Sequence, residues 1–297
     1  MRHLAVSLVV LGAVTAPSSA SSPGANGLLV YVQGDVGSAT PVGLMVSGGG
    51  ETREIGPRCG GEVALVTELC PSDPVWSPDG SRLAFAHGDD LATIDADGTN
   101  YRVIDLGTVR SPAAPTWSPD SATLAFDAFE TAGRRELYKV AADGSAAPRR
   151  VTFRGGQSPS WSSRGTIAFV REKNIFKLTR AGAVSRVTTQ GGYQPSWGPG
   201  GRVIAFVRKT DNSRRDTPTY LYRYEVAHQK ALRRLTVRPA TEPAWSPDGR
   251  RVLFTRREAG NSVIFSVAAS GGHLQTVAEG EEGRGRNVSS GDLQPVR

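Results

Sequence analysis

The stretch Pro74–Gly80 reads Pro-Val-Trp-Ser-Pro-Asp-Gly, and a related stretch surrounds every tryptophan of the chain. A proline lies two residues before each tryptophan, and successive tryptophans are separated by 41, 44, 36 and 48 residues. The tryptophans are Trp76, Trp117, Trp161, Trp197 and Trp245. A period in this range is typical of folds in which each repeat forms one small sheet. The spacing therefore predicts a protein assembled from copies of a single unit.

The four residues after each tryptophan indicate a tight turn. In Ser77–Gly80, proline fixes φ at the first corner, aspartate accepts local backbone hydrogen bonds, and glycine adopts the left-handed conformation that reverses the chain. Asp79, Asp120 and Asp248 occupy the same place in three repeats. We therefore interpret these acids as turn residues rather than as catalytic groups.

Three further strands follow each turn. The second strand is a short apolar run that is typical of a strand buried on both faces. Its copies are Leu83–Phe85, Leu124–Phe126, Ile167–Phe169, Ile204–Phe206 and Val252–Phe254. A third and a fourth strand recur after it, for example as Leu137–Val140 and Arg149–Thr152. The pattern predicts a four-stranded antiparallel unit that is repeated five times.

A sixth copy is divided between the two ends of the chain. Leu28–Val32 matches the second strand, Leu44–Ser47 the third, and Thr52–Ile55 the fourth. The missing first strand is expected at the C-terminus, where Leu293–Arg297 resembles the Pro-x-Trp strand and Arg297 takes the tryptophan position.

Pairing of these ends would close a ring. We expect residues 291–296 to pair with residues 28–33, because an open ring would expose two sheet edges. The sequence thus predicts an all-β fold, a six-bladed β-propeller of four-stranded antiparallel blades that is closed by its C-terminal strand.

The first 20 residues have the pattern of a secretory signal peptide. A basic start precedes the apolar run Leu4–Ala16, and small residues lead to a cleavage position after Ala20. A short leader, 21–26, then precedes a single propeller domain of residues 27–297. No later apolar run approaches the roughly 20 residues of a membrane span, so no transmembrane segment is expected. The protein is expected to be exported, and to be periplasmic, cell-wall associated or extracellular.

Cys59 and Cys70 are the only cysteines. In an oxidising compartment such a pair predicts a disulfide, and two reduced buried thiols are the alternative. Closing so short a loop would contribute roughly 2–3 kcal/mol.

The Pro-x-Trp-Ser-Pro-Asp-Gly motif, followed by Leu/Ile-Ala-Phe, resembles the repeat of the TolB-like β-propellers, a WD40-like family. The resemblance covers roughly residues 27–297 and implies the fold rather than one function. Similar blades occur in TolB, in the propellers of prolyl-oligopeptidase-like enzymes and in oligogalacturonate lyases. TolB carries an α/β domain before its propeller, and residues 20–27 leave no room for one. The chain also contains no Gly-x-Ser-x-Gly nucleophile motif.

The resemblance to oligogalacturonate lyases would imply clustered histidines that hold a metal ion. After the signal peptide the chain contains His87, His228 and His273, which fall at opposite ends of different predicted blades. We therefore expect no metal site, no cofactor and no catalytic residue.

A ligand site is predicted on one face of the ring, which we call the loop face. It carries the connections from fourth to first strands and from second to third strands, whereas the Ser-Pro-Asp-Gly turns lie on the opposite, turn face. The residue before each motif proline should line the channel mouth on the loop face. These residues are Asp73, Ala114, Ser158, Gln194, Glu242 and Gln294. All except Ala114 can form hydrogen bonds, which fits either a polar site for a sugar, a peptide end or a cation, or a water-filled channel.

Net charge is +7, from 35 basic and 28 acidic side chains. The candidate partner-binding residues are Arg134, Arg135, Arg208, Arg214, Arg215, Arg256 and Arg257. The same loops hold as many acids as bases, and other arginines lie in outermost strands, where they discourage edge-to-edge pairing. No aromatic-plus-basic module is present, so no nucleic-acid partner is expected.

Two functions remain open from the sequence. The first is an exported, monomeric, non-enzymatic module that binds a protein or cell-envelope component through its loop face. The alternative is a lyase or hydrolase acting on polyuronate or glycan at the channel mouth.

Overall fold

The computed structural model describes residues 25–33, 42–48, 51–59, 70–129, 133–211, 217–226, 230–259, 261–279 and 288–296. Within these ranges 24 strands form six four-stranded antiparallel sheets, and each sheet is one blade of a ring. The predicted six-bladed β-propeller is therefore confirmed.

The blades follow one another along the chain, and the sixth combines both ends. Blade 1 contains β4 (Pro71–Trp76), β5 (Arg82–His87), β6 (Asp90–Asp95) and β7 (Arg102–Ile104). Blade 2 contains β8 (Arg110–Trp117), β9 (Thr123–Phe129), β10 (Glu136–Ala141) and β11 (Arg149–Arg150). Blade 3 contains β12 (Gln157–Trp161), β13 (Ile167–Arg171), β14 (Asn174–Leu178) and β15 (Val184–Arg186). Blade 4 contains β16 (Tyr193–Trp197), β17 (Val203–Lys209), β18 (Thr219–Glu225) and β19 (Lys230–Arg234). Blade 5 contains β20 (Thr241–Trp245), β21 (Arg251–Glu258), β22 (Asn261–Ala268) and β23 (Gln275–Glu279). Blade 6 contains β24 (Val288–Val296), β1 (Ala25–Gln33), β2 (Val42–Gly48) and β3 (Glu51–Cys59).

The apolar core lies between neighbouring blades. Trp76 and Phe85 of blade 1 pack with Val30 and Leu44 of blade 6, and corresponding clusters lie between the other adjacent pairs. Because both faces of each blade are covered, the second strands are buried on both faces, as predicted. Burial of one tryptophan, about 200 Å² at about 25 cal/mol per Å², contributes up to about 5 kcal/mol.

The Ser-Pro-Asp-Gly segment of blade 1 forms the expected turn. The N–H of Gly80 donates to the carbonyl of Ser77 over 2.8 Å, and Gly80 has a φ of 73°. The Asp79 carboxylate accepts from the hydroxyl of Ser77 at 2.6 Å and from the N–H of Ser81 at 3.0 Å. Burial raises the pKa of Asp79, but these hydrogen bonds outweigh it and hold the pKa below its usual value. The interpretation of this acid as a turn residue is confirmed.

The C-terminal strand closes the ring, as predicted, but in a different register. In blade 1, Trp76 pairs with Leu83. In blade 6, the equivalent pair is Leu293 with Leu29, and the bulge that precedes it matches the bulge of the other inner strands. Leu293 therefore takes the tryptophan position, and the prediction that Arg297 takes it is wrong. The prediction matches Pro295 to the motif proline, whereas the pairing of β24 with β1 places the tryptophan position four residues earlier in the chain.

Some predictions fall on parts of the chain that the structure does not describe. Residues 1–24, which include the predicted signal peptide, lie outside the described ranges, and β1 begins at Ala25. The side chain of Cys59 also lies outside them, so its disulfide with Cys70 stays a prediction. Among the described residues, no helix has the length and apolar character needed to cross a membrane.

Candidate functional site

A cavity of about 380 Å³ opens where the inner strands reach the loop face. All six blades contribute to its lining. Four predicted channel-mouth residues line it together, namely Asp73, Ser158, Gln194 and Glu242. Ala114 lines it as well, and Asp292 is the contribution of blade 6. The structure thus gathers most of the predicted mouth in one place, which we call the central cavity.

The residues before the motif prolines form the lip of the central cavity, and each has an unusual backbone. Their φ angles are positive, at 51° for Asp73, 48° for Ala114, 49° for Ser158, 49° for Gln194 and 53° for Glu242. A residue before proline normally prefers an extended conformation, and a left-handed one costs of order 1–3 kcal/mol. The inner strand bulges at the same place in each blade, which re-aims the side chain at this position.

Hydrogen bonds between blades hold the lip. The N–H of Ala114 donates to Asp73 Oδ2 of the preceding blade at 3.0 Å, and the N–H of Glu242 donates to Gln194 Oε1 at 3.0 Å. The side chain of Ala114 contains no acceptor for the N–H of Ser158 in blade 3. Instead Asp127 of β9 accepts from the N–H of Ser158 at 2.6 Å. The N–H of a lip residue therefore binds an acceptor of the preceding blade at three junctions. The acceptor is a lip side chain, Asp73 or Gln194, at two of them and the second-strand acid Asp127 at the third.

A second set of contacts lies deeper, at the residue between each motif proline and its tryptophan. The N–H of Trp161 donates to Thr116 Oγ1 at 3.1 Å, and the N–H of Trp197 donates to Ser160 Oγ at 3.0 Å. In the same way the N–H of Trp76 donates to Asp292 Oδ2 at 2.8 Å. The C-terminal strand is thus fixed to blade 1 by the interaction that joins the continuous blades.

Ser196 holds this deeper position in blade 4, but its hydroxyl differs from those of Thr116 and Ser160. The side chain lines the central cavity and is 2% exposed. Within the described part of the chain, Ser196 Oγ has no hydrogen-bond partner. A buried hydroxyl without a partner costs roughly 1–3 kcal/mol, so this group has acceptor and donor capacity to offer a ligand.

The lining of the central cavity is acidic. It contains the carboxylates of Asp73, Asp127, Glu242 and Asp292, and Arg135 is its one basic side chain among the described residues. Arg135 pairs with Asp127 and also donates to the carbonyl of that residue at 2.8 Å. Burial raises the pKa of Asp127, the guanidinium of Arg135 opposes that rise, and nearby Asp73 adds to it. The lining therefore holds more acidic than basic side chains, although the whole chain is positively charged.

The predicted partner-binding arginines separate into different environments. Arg135 faces the central cavity, and Arg256 contacts Glu258 at 2.6 Å. Arg208 lies 5.9 Å from the ring of Tyr222. Two of the set are exposed, namely Arg134 and Arg257. The remaining two, Arg214 and Arg215, lie outside the described residues.

The predicted residue Gln294 does not take the lip position of blade 6. By the pairing of β24 with β1, that position falls on Ser290, and Asp292 corresponds to Val75 of blade 1. The side chain of Gln294 lies outside the described residues.

The histidines that are described do not converge. His87 ends β5 on the loop face of blade 1, whereas His273 precedes β23 on the turn face of blade 5. His228 lies outside the described residues. In the described ranges, no three histidine, cysteine, aspartate or glutamate side chains are placed to hold a metal ion.

Comparison with known proteins agrees with this architecture. TolB from Acinetobacter baumannii aligns with a TM-score of 0.70 and 17% identity, over 91% of this chain and 67% of that one. A putative TolB from Agrobacterium tumefaciens aligns with a TM-score of 0.63 and 18% identity, over 91% of this chain and 100% of that one. An oligogalacturonate lyase in complex with manganese aligns with a TM-score of 0.55 and 13% identity, over 80% of this chain and 71% of that one. These identities establish similarity of fold alone.

At the level of sequence, no curated protein matches the chain significantly. The family model of the TolB beta propeller domain, however, matches residues 62–221, which is more than half of the chain. With its motif and its six blades, the chain belongs to the TolB β-propeller family.

Proposed function

We propose that this protein is an exported, non-enzymatic module that binds a protein or cell-envelope component through its loop face. The observation that carries the proposal is the placement of exposed apolar side chains. Phe153 and Val237 are 72% and 88% exposed, more than any other large hydrophobic residue that the structure describes. Both follow a fourth strand, so both stand on the loop face, in blades 2 and 4.

The surroundings of these two residues resemble a protein interface. The guanidinium of Arg150 lies 4.9 Å from the ring of Phe153, and Arg134 is exposed in the neighbouring loop. Aromatic and arginine side chains are enriched among the residues that contribute most of the binding energy of protein interfaces. A polar rim usually surrounds such residues. The loop face therefore offers an apolar and basic rim around an acidic centre.

The scaffold suits binding because it is rigid. Hydrogen bonds between successive blades fix the lip residues, so a partner would meet a surface that needs little ordering. The proposed export rests on the N-terminal pattern, on the predicted disulfide and on membership of the TolB family. Mass spectrometry of the native protein would test it, since we expect the mature chain to start near Ser21.

Affinity capture from the native cell envelope tests the binding role. The tagged mature protein should retain one envelope component, and Phe153→Ala combined with Val237→Ala should reduce its capture about tenfold or more, because each hot-spot truncation costs roughly 1–2 kcal/mol. The matched control is Leu274→Ala, which removes an apolar side chain that is 50% exposed on the turn face. Equal capture by the double variant and the wild type would remove the support for this face.

The carbohydrate-active alternative has no comparable support. Similarity to the oligogalacturonate lyase extends to the fold alone, and the described histidines lie on different blades and faces. Turnover of polyuronate or glycan by the purified protein, lost on substitution of Asp73 or Glu242, would reverse this preference.

A further inference from the structure

We propose that the loop face binds its protein partner through an acidic segment of that partner, which docks on a basic surface around Phe153. This surface, the Phe153 patch, consists of Arg134, Arg150, Phe153, Arg154 and Arg171. The inference rests on the proposed binding role of the loop face and names the chemistry of the partner. Three observations support it: the crowding of guanidinium groups, the exposed aromatic ring among them, and the rigid loop that carries the ring.

Contacts around Gly155 bring the arginines of the Phe153 patch together at the junction of blades 2 and 3. Arg171 Nε donates to the carbonyl of Gly155 at 2.9 Å. Gly155 has a φ of 90°, and a Cβ on it would lie 2.8 Å from Cδ of Arg134. The side chain of Arg134 therefore lies directly against this glycine, and Arg154 precedes the glycine in the chain. Three arginines from three different segments of the loop face thus meet at one residue.

Positive charge exceeds negative charge in the Phe153 patch. Burial lowers the pKa of Arg171, the carboxylates of Glu136 and Glu172 oppose this, and the charges of Arg154 and Arg134 lower it further. Among the residues that the structure describes, the side chains of Arg134 and Arg154 form no ion pair. Like charges held close together repel one another and destabilise the folded state, so a ligand of opposite charge would relieve this repulsion.

The corresponding arginine of blade 4 has an acidic partner. Thr152–Arg154 of blade 2 matches Thr236–Arg238 of blade 4, because the threonine hydroxyl accepts an N–H of the third strand in both blades. Arg238 lies 3.3 Å from Glu258 of the next blade. Arg154 has no such acid within the described ranges, and the next blade instead brings Arg171 near it. The chain therefore neutralises this arginine at one junction and leaves it available at the other.

Phe153 gives the charged surface an apolar anchor on a fixed loop. Its side chain is 72% exposed, and the guanidinium of Arg150 lies 4.9 Å from the centre of its ring. The buried carboxylate of Glu136 holds the loop, since it accepts from the hydroxyl of Thr152 at 2.6 Å and from the N–H of Gly155 at 2.9 Å. Because the loop is already ordered, a partner loses little free energy in fixing it.

This combination favours an acidic protein segment over an anionic polymer. Guanidinium groups bind carboxylates through paired, charge-assisted hydrogen bonds. An aromatic ring contributes most when an apolar group covers it. A protein segment supplies carboxylates and an apolar side chain within a few residues, whereas a polyphosphate or polyuronate chain supplies charge without an apolar side chain. We therefore assign the patch to an acidic segment that contains an apolar residue.

Peptide selection on the full mature chain tests the inference without assuming a sequence. Random peptides displayed on phage are panned on the immobilised protein, and the enriched peptides are synthesised with a fluorescent label for polarisation measurements. We expect aspartate and glutamate next to an apolar residue in the enriched peptides, and binding that weakens as salt is raised. Replacing their acids by asparagine and glutamine should abolish binding. Polyphosphate and polygalacturonate serve as polymer probes in the same assay.

The variants remove charge without removing a described ion pair. Arg134→Gln combined with Arg154→Gln should leave thermal melting unchanged and weaken peptide binding about tenfold at low salt, with a smaller effect at high salt. Phe153→Ala should weaken it about fivefold or more at any salt concentration. The matched control is Arg202→Gln combined with Arg250→Gln, which removes the same charge from two exposed residues of the turn face and should change binding less than about twofold.

Several results would overturn the inference. The first is enrichment of neutral or basic peptides, or no enrichment at all. Equal losses in the two double arginine variants would show that only overall charge matters, and unchanged binding by Phe153→Ala would remove the anchor. Tighter binding of either polymer than of any selected peptide would assign the patch to an anionic polymer instead.

Failure of this inference is distinguishable from failure of the proposed function. If Arg134→Gln with Arg154→Gln captures the envelope component normally, while Phe153→Ala with Val237→Ala does not, the acidic segment is wrong and the binding role stands. If acidic peptides bind the Phe153 patch but Phe153→Ala with Val237→Ala leaves capture unchanged, the patch stands and the proposed use of the loop face in the envelope is wrong.

Discussion

Replacing Asp292 by alanine should loosen the closure of the ring. The carboxylate of Asp292 accepts the N–H of Trp76 at 2.8 Å in a buried setting, across the junction between the C-terminal strand and blade 1. A hydrogen bond to a charged group contributes about 1.5–3 kcal/mol, and a buried N–H left without a partner costs about 1–3 kcal/mol. We therefore expect Asp292→Ala to lower the free energy of unfolding by about 2–3 kcal/mol.

Urea denaturation followed by tryptophan fluorescence measures this change, because every blade except the sixth carries one tryptophan. For a chain of this size the melting temperature should fall by about 4–5 °C. Asp292→Asn keeps an oxygen acceptor for Trp76 and should cost less than about 1 kcal/mol. Thr116→Ala removes the equivalent neutral contact to Trp161 and should cost about 1 kcal/mol.

Two results would refute the reasoning. If Asp292→Ala unfolded within about 0.5 kcal/mol of the wild type, the contact to Trp76 would not stabilise the closed ring. If Asp292→Asn were as unstable as the alanine variant, the charge rather than the acceptor would be responsible, and the likeness to Thr116 would be lost.

Three further predictions concern single side chains. Burial lowers the pKa of His87 below 6.5, and Asp90 opposes this only in part. Because the folded state takes up the proton less readily than the unfolded chain, stability should fall as pH drops through about 6.5, so melting between pH 7.5 and 5.5 should decrease more in the wild type than in His87→Gln. Ser196→Ala should leave the free energy of unfolding unchanged or raise it by up to about 1 kcal/mol, as urea denaturation would show. Asp79→Ala removes the local acceptor of the first turn and should cost about 1 kcal/mol in urea denaturation, whereas Asp79→Asn should cost less.

The propeller architecture was predictable because the Pro-x-Trp-Ser-Pro-Asp-Gly motif indicates both a buried side chain between blades and a tight turn of the chain. Trp76 and its counterparts fill the space between blades, and the Ser-Pro-Asp-Gly segments have few conformations available to them. The tryptophan and the turn segment lie within a few residues of each other in the sequence. Their repetition therefore predicts five blades, and the incomplete strands at the two ends of the chain predict a sixth. The register of β24 could not, because it depends on pairing with β1, more than 250 residues away, and Pro295 offered a misleading match.

The candidate site was predictable in outline only. The lip residues were identified by their place before the motif prolines, but their left-handed backbone was not, since a residue before proline normally favours an extended conformation. Asp127 was missed even though a signal was present. It is an acid within an apolar second strand, where blades 1, 3 and 4 carry Ala86, Val170 and Val207. Arg135, a predicted partner-binding residue, pairs with the buried Asp127 of the adjacent strand, a contact that the sequence did not predict.

The basic character of the whole chain does not extend to the central cavity, whose lining holds four acidic side chains and one basic one among the described residues. Arginines of the fourth strands contact their own blades, as in Arg150 Nε to the carbonyl of Thr152 at 2.8 Å and Arg234 Nε to that of Thr236 at 2.7 Å. Three strand spacings of about 4.8 Å separate a fourth strand from the inner strand, or about 14 Å. The screening length at physiological ionic strength is about 8 Å, so outer charges act weakly at the central cavity. Two carboxylates of the lining, Asp73 and Asp292, also join neighbouring blades through the backbone N–H groups of Ala114 and Trp76. Because the same carboxylates hold the ring and supply its negative centre, a substitution that removes only charge is the one that separates the two roles.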